Sequence, residues 1–249
     1  MDFKNRLTAL LLVLLLPIVA NADWFDEIRD GNDKEALYRT LYYMPKGGDL
    51  HNHLSGAVFA EWWYELAVAQ QERGYEYYTK VRIGNCRDFG GNAFARAPYL
   101  LLFRNISALE YAQLDECEQG EYKRLVDLDD REKSGWMNSI RLDKPFEGRE
   151  EFFQTHWQRL NALTRNPWLQ AETLVKNLQA YAAEGMVYVE YQIGGGRYEG
   201  PDGELIDTPQ AFDILRETLA RKDVRDLGVT VRFQLAILRF LPNAEDQLR

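Results

Sequence analysis

Hydrophobic and polar positions along this chain follow two alternating periods. A helical period sets Leu37, Leu41 and Met44 on one face, with Asn32 and Glu35 spaced to cap the start reciprocally and Pro45 to stop it. The same period returns at Phe59, Trp62, Trp63 and Leu66, ended by Gly74, and again at Phe152, Phe153, His156, Trp157, Leu160 and Leu163. Pro167 opens a further helix through Leu174, Val175 and Leu178 to Gly185, and Thr208 with Pro209 reads as an N-cap and first-turn proline of a last one, closed by Gly228. Between these lie three segments that read as strands: Gly48 to His53, Met186 to Ile193 and Val229 to Leu238. Helices alternating with buried-looking strands predict parallel β/α units, hence an α/β fold.

Residues 75 to about 148 break this rhythm. The stretch shows no sustained period and holds both cysteines, many Tyr and Arg residues, and an acidic cluster from Asp127 to Glu132. A segment this long and irregular is read either as a lid or added subdomain, or as a solvated surface excursion. Within it, Asn105-Ile-Ser107 is a formal glycosylation acceptor. Further on, Gly194-Gly-Gly196 and Pro201-Asp-Gly203 mark a loop; no Lys-Ser/Thr follows the glycines, which argues against a phosphate cradle.

The first 22 residues read as a secretory signal. Lys4 and Arg6 precede an apolar run from Leu7 to Ala20, and Ala20-Asn21-Ala22 offers the small residues of a cleavage site. The run is shorter than the roughly 20 residues a membrane span needs, so the expectation is export to the periplasm or beyond, with no membrane contact after cleavage. Net charge is −9, unfavourable for binding nucleic acid through its phosphates. Cys86 and Cys117 are the only cysteines; an even count in an oxidising compartment makes a disulfide between them a candidate.

The chemistry concentrates at Met44-Pro-Lys-Gly-Gly-Asp-Leu-His-Asn-His-Leu-Ser-Gly-Ala57. In an extended backbone, side chains two apart share a face, so His51 and His53 converge if this segment is a strand. Gly56-Ala57 then turns the chain at the strand's carboxyl end, where α/β barrels gather their chemistry. Neutral imidazole suits zinc and related ions. The third histidine, His156, sits among aromatics and reads as a hydrogen-bonded packing residue. Glu190, on the second strand, either faces the pocket or pairs with a nearby cation.

The motif Met-Pro-Lys-Gly-x-x-Leu-His-x-His-Leu-x-Gly resembles the first-strand signature of the adenosine deaminase family of metal-dependent hydrolases, and most of all its secreted, growth-factor-related branch. Weaker echoes fall at Tyr188-Val-Glu-Tyr191 and from Arg232 to Pro242. The resemblance implies that residues 23–249 are the amino-terminal portion, about three strands, of a TIM-type (β/α)8 barrel of the amidohydrolase superfamily, with His51 and His53 as two zinc ligands. The implied reaction is hydrolytic deamination of adenosine or a related amino-purine nucleoside to inosine and ammonia. Many family members carry aspartate two residues after the second histidine to hold the sugar; here that position is Ser55, a weaker hydrogen-bonding group, so Ser55 and Gly56 are the candidate substrate contacts and the substrate class stays open to adenine or another cyclic amidine. The family's further zinc histidine, catalytic glutamate, second catalytic histidine and metal-binding aspartate have no counterpart here. No catalytic residue is therefore expected in this chain, which reads as the first part of a longer enzyme, inactive alone. The rival expectation is a non-catalytic secreted module whose insert around Cys86 and Cys117 binds a partner.

Overall fold

A computed structural model describes residues 23–84, 86, 101–194 and 197–236. The expected leader, the second and third glycines of the 194–196 run and residues 237–238 of the third expected strand lie outside these. The chain divides into two compact units, up to Pro45 and from Lys46 onward.

The first unit holds α1 (Asp23–Asp30) and α2 (Lys34–Tyr43). The cap of α2 is Asp33 rather than Asn32: its carboxylate accepts the Ala36 N–H at 2.9 Å, and an ionised acceptor is favoured at a helix N-terminus. No residue of α2 is buried, and Leu41 is exposed. The expected apolar face is therefore not a core face within this unit.

The second unit opens with β1 (Gly47–His53), a 3₁₀ turn (Leu54–Gly56) and α3 (Ala60–Ala69). After a second 3₁₀ turn, Gly74 closes the segment at φ +86°, a left-handed value that suits glycine. Phe59 is the N-cap with extended backbone, so helical spacing does not apply to it, and the residue is 63 % exposed. The insert then carries β2 (Tyr77–Lys80), β3 (Asn105–Ser107), α4 (Ala108–Ala112), α5 (Glu116–Gln119), β4 (Tyr122–Arg124) and α6 (Asp130–Ser139). Next come α7 (Arg149–Glu151), a π-turn (Phe152–His156), α8 (Trp157–Thr164) and α9 (Pro167–Ala183). The chain continues through β5 (Met186–Gly194), β6 (Tyr198–Glu199), β7 (Leu205–Ile206), α10 (Thr208–Ala220), α11 (Lys222–Arg225) and β8 (Thr230–Ala236).

Three parallel strands in the order β1-β5-β8 form the central sheet. Its covered face packs on α9 and α10: Val189, Tyr191 and Ile193 meet Leu174, Val175, Leu178 and Leu215. The π-turn, with hydrogen bonds reaching one residue further than in an α-helix, interrupts the expected aromatic face, and Phe153 is exposed. Asp207, not Thr208, caps α10 in a reciprocal box with Gln210. Gly228 ends the short α11 rather than α10. The Pro201–Gly203 loop is the tip of the β6–β7 hairpin.

The insert, in its described part, packs short regular elements on the rest of the unit. Its antiparallel sheet, ordered β3-β2-β4, shares a core with α3 and α8 built on Trp63, Tyr77, Leu125, Trp136 and Leu163. The strands are three and four residues long, too short for a period of two to register. Cys86 and Cys117 form a disulfide with Cα atoms 5.7 Å apart, and Asn105 of the sequon is buried, with its amide engaged on both sides. Among the described residues, no helix is long and apolar enough to cross a membrane.

Candidate functional site

The two histidines occupy the last turn of pleat in β1, immediately before the 3₁₀ turn whose Leu54 is buried in the core. That anchor ends the strand and directs the chain towards α3. His51 and His53 are both exposed, and their rings meet edge to face with centroids 5.1 Å apart. His53 lies in register with Gln192, whereas Asn52 is in register with the buried Tyr191. The imidazoles thus stand on the open face of the sheet, away from α9, at its carboxyl end.

Beneath them, on the covered face, lies a polar cluster that sequence reasoning did not single out. Asp49 Oδ2 accepts from Asn52 Nδ2 at 2.9 Å and from the Tyr181 hydroxyl at 3.2 Å, while Oδ1 accepts the His51 N–H at 3.1 Å. Asn52 also donates to the Tyr181 hydroxyl at 2.7 Å. Burial pushes the Asp49 carboxyl up, but the hydrogen bonds from Asn52, the His51 N–H and Tyr181 outweigh it and hold the group below the usual carboxylate range. Burial, together with the Asp49 charge, pushes the Tyr181 phenol up, so it stays a donor. The signal in the sequence was Asp49 two residues before His51, a polar residue where a half-buried strand would place an apolar one.

Ser55 is partly buried, and its hydroxyl donates to Gln170 Oε1 of α9 at 3.2 Å. Gly56 has no left-handed φ, and a Cβ there would meet only the His53 Cβ at 3.5 Å, an ordinary contact, so the local backbone does not demand glycine. Glu190 accepts from the Tyr188 hydroxyl at 2.8 Å and from the Gln234 amide; among the described residues these donors are neutral. His156 is buried, with Nε2 at 2.7 Å from the Arg141 carbonyl and Nδ1 at 3.2 Å from that of Glu151, a packing role remote in sequence and separate from β1. Cys86 and Cys117 are committed to each other, so neither is a metal ligand.

Among the described residues, no group of three or more His, Cys, Asp or Glu side chains is placed to hold an ion. Two adjacent imidazoles on one exposed face fit zinc as two of the three protein donors a catalytic site uses. The sequence matches no protein-family model and no curated protein.

Proposed function

We propose that this chain is part of an exported, zinc-dependent hydrolase that deaminates adenosine or a related amino-purine, and that its β1-β5-β8 sheet is a portion of a TIM-type (β/α)8 barrel. The observation that carries this reading is the His51–His53 pair, side by side on the open face at the carboxyl end of a parallel strand, the end where such barrels place their sites. Spatial order following chain order among the three strands agrees with it, as does the resemblance of Met44 to Ala57 to the adenosine deaminase signature. Export is supported by the leader-like residues 1–22 and by the disulfide.

Zinc, when bound, supplies an activated water near neutral pH. His51 and His53 would hold it through neutral ring nitrogens, and the bonds of Asp49 and Asn52 to β1 and α9 keep that strand end in place. Among the described residues, no third His, Cys, Asp or Glu side chain joins the pair to hold the ion.

One feature favours a substrate other than adenosine within the same class. The Ser55 hydroxyl, at the position where many relatives present aspartate to the sugar, is bonded to Gln170. A substrate lacking ribose, such as adenine or another cyclic amidine, would not need that contact.

The test is zinc content and turnover together. Elemental analysis of the purified protein should find bound zinc, lost in the His51→Ala/His53→Ala double variant. Loss of amino-purine absorbance should then be followed on adenosine, deoxyadenosine and adenine, using the complete enzyme. Zinc retained in the double variant, or inertness on all three substrates, would refute the assignment.

A further inference from the structure

The register of β1 against β5 slips beneath the histidines. Asp49 pairs with Val189 and Asn52 with Tyr191, so Leu50 and His51 together oppose the single residue Glu190. This is a β-bulge in β1, and it decides which way the imidazoles face. Asp49 reaches Tyr181 of α9 and therefore lies on the covered face. Unbroken alternation from Asp49 would carry His51 and His53 to that same face, against the core of Val189 and Tyr191. The extra residue reverses the sense: Asn52 joins Asp49 at Tyr181, and both imidazoles emerge on the open side.

The peptide unit joining Leu50 to His51, which the bulge takes out of register, is held by side chains from two strands. Its N–H, on His51, donates to Asp49 Oδ1 at 3.1 Å. Its carbonyl, on Leu50, accepts from Gln234 Nε2 of β8 at 3.4 Å. The same Gln234 amide donates to Glu190, the residue opposite the bulge, whose other carboxylate oxygen accepts from Tyr188. A chain of contacts therefore crosses all three strands and ends on the Leu50 carbonyl, in the peptide that leads into the first histidine.

We infer that Asp49 and Gln234 are positioning residues: by clamping the Leu50–His51 peptide they turn His51 and His53 onto the open face without touching what the histidines bind. The functional half of this inference rests on the zinc reading above. Residues that orient a metal ligand typically change affinity 10–100-fold when removed, which sets the expected effect.

The experiment uses the full chain and zinc alone as the probe, with two readouts: exchange of the His51 amide hydrogen by NMR, and zinc affinity by chelator competition. Asp49→Ala should speed His51 exchange at least tenfold while the Val189 amide is unchanged, and should weaken zinc binding about 10–100-fold. Asp49→Asn keeps an acceptor oxygen and should restore most of both, a recovery that a general loss of packing would not give. Gln234→Ala should move both readouts in the same direction by less, and it carries the test if Asp49→Ala does not fold. Faster exchange with unchanged zinc affinity would overturn the positioning role and leave the zinc reading intact. Should wild type and the His51→Ala/His53→Ala variant prove equally unable to bind zinc, the zinc reading fails, and with it the functional half of this inference. The clamp is then judged on exchange alone: a tenfold rise in Asp49→Ala upholds it, and no change overturns it.

Discussion

Trp136 donates its indole N–H to the Asn105 side-chain carbonyl at 2.9 Å, in a site where the two residues are 0 % and 1 % exposed. The Asn105 amide donates in turn to the Arg159 carbonyl of α8 at 2.7 Å, so one side chain joins β3, α6 and α8. Asn105→Ala strands the buried indole N–H, at a cost of about 1–3 kcal/mol for a buried group left unsatisfied, and removes the tie to α8. Calorimetry should show a lower melting temperature, by roughly 2–4 °C per kcal/mol in a chain of this size. The same burial predicts that expression in a glycosylating host leaves Asn105 unmodified in the folded protein, which intact-mass measurement checks.

Lys80 and Glu121 form an ion pair in the insert with both side chains buried. Glu121 also accepts the Gly84 N–H, and the Lys80 ammonium sits 5.0 Å from the centre of the Tyr122 ring. Removing one partner leaves an uncompensated buried charge, so Lys80→Met should destabilise by about 3–5 kcal/mol. The double variant Lys80→Met/Glu121→Leu should recover most of that loss in urea titrations. Equal destabilisation in single and double variants would contradict this account.

The Cys86–Cys117 bridge spans a sequence separation of 31 residues. On the chain-entropy model a loop of this length contributes about 3.7 kcal/mol. Cys86→Ser/Cys117→Ser, or reduction of the native protein, should lower the urea midpoint accordingly, with the effect of a reducing agent absent in the double variant.

Glu110 provides the acid dependence. Burial pushes its carboxyl up, but the Ser107 N–H at 2.9 Å and the Arg165 guanidinium at 3.0 Å outweigh that and hold it below the usual carboxylate range. A carboxyl depressed in the fold stabilises the protein above its unfolded-state pKa and loses that contribution as pH falls through the folded-state value. Stability should therefore decline on acidification from about pH 5, and Glu110→Gln should flatten that decline. Because Glu110 and Arg165 are each about one-third exposed, solvent screening keeps the effect to about 1 kcal/mol or less.

The three parallel strands and the helices between them were readable because each is long enough for its period to repeat. Gly74, Gly185 and Gly228, all at positive φ, mark ends that backbone sterics impose locally. The insert was not readable by period, yet it carried another signal. Ser107 with Glu110, Asp115 with Glu118 and Asp129 with Glu132 each form a reciprocal capping box, a pattern visible in sequence, whereas α4 and α5, at five and four residues, are too short to show a hydrophobic face. Ser55 and Gln170 are 115 positions apart, and no local rule links them.

Local sequence determined what depends on neighbours along the chain: where helices and strands begin and end, and that two imidazoles two residues apart share a side. Tertiary structure alone decided which side. The direction of His51 and His53 follows from a register slip against β5 and from contacts with Tyr181 and Gln234, residues more than a hundred positions away. Register is a property of a pair of strands, so one strand read alone could not contain it.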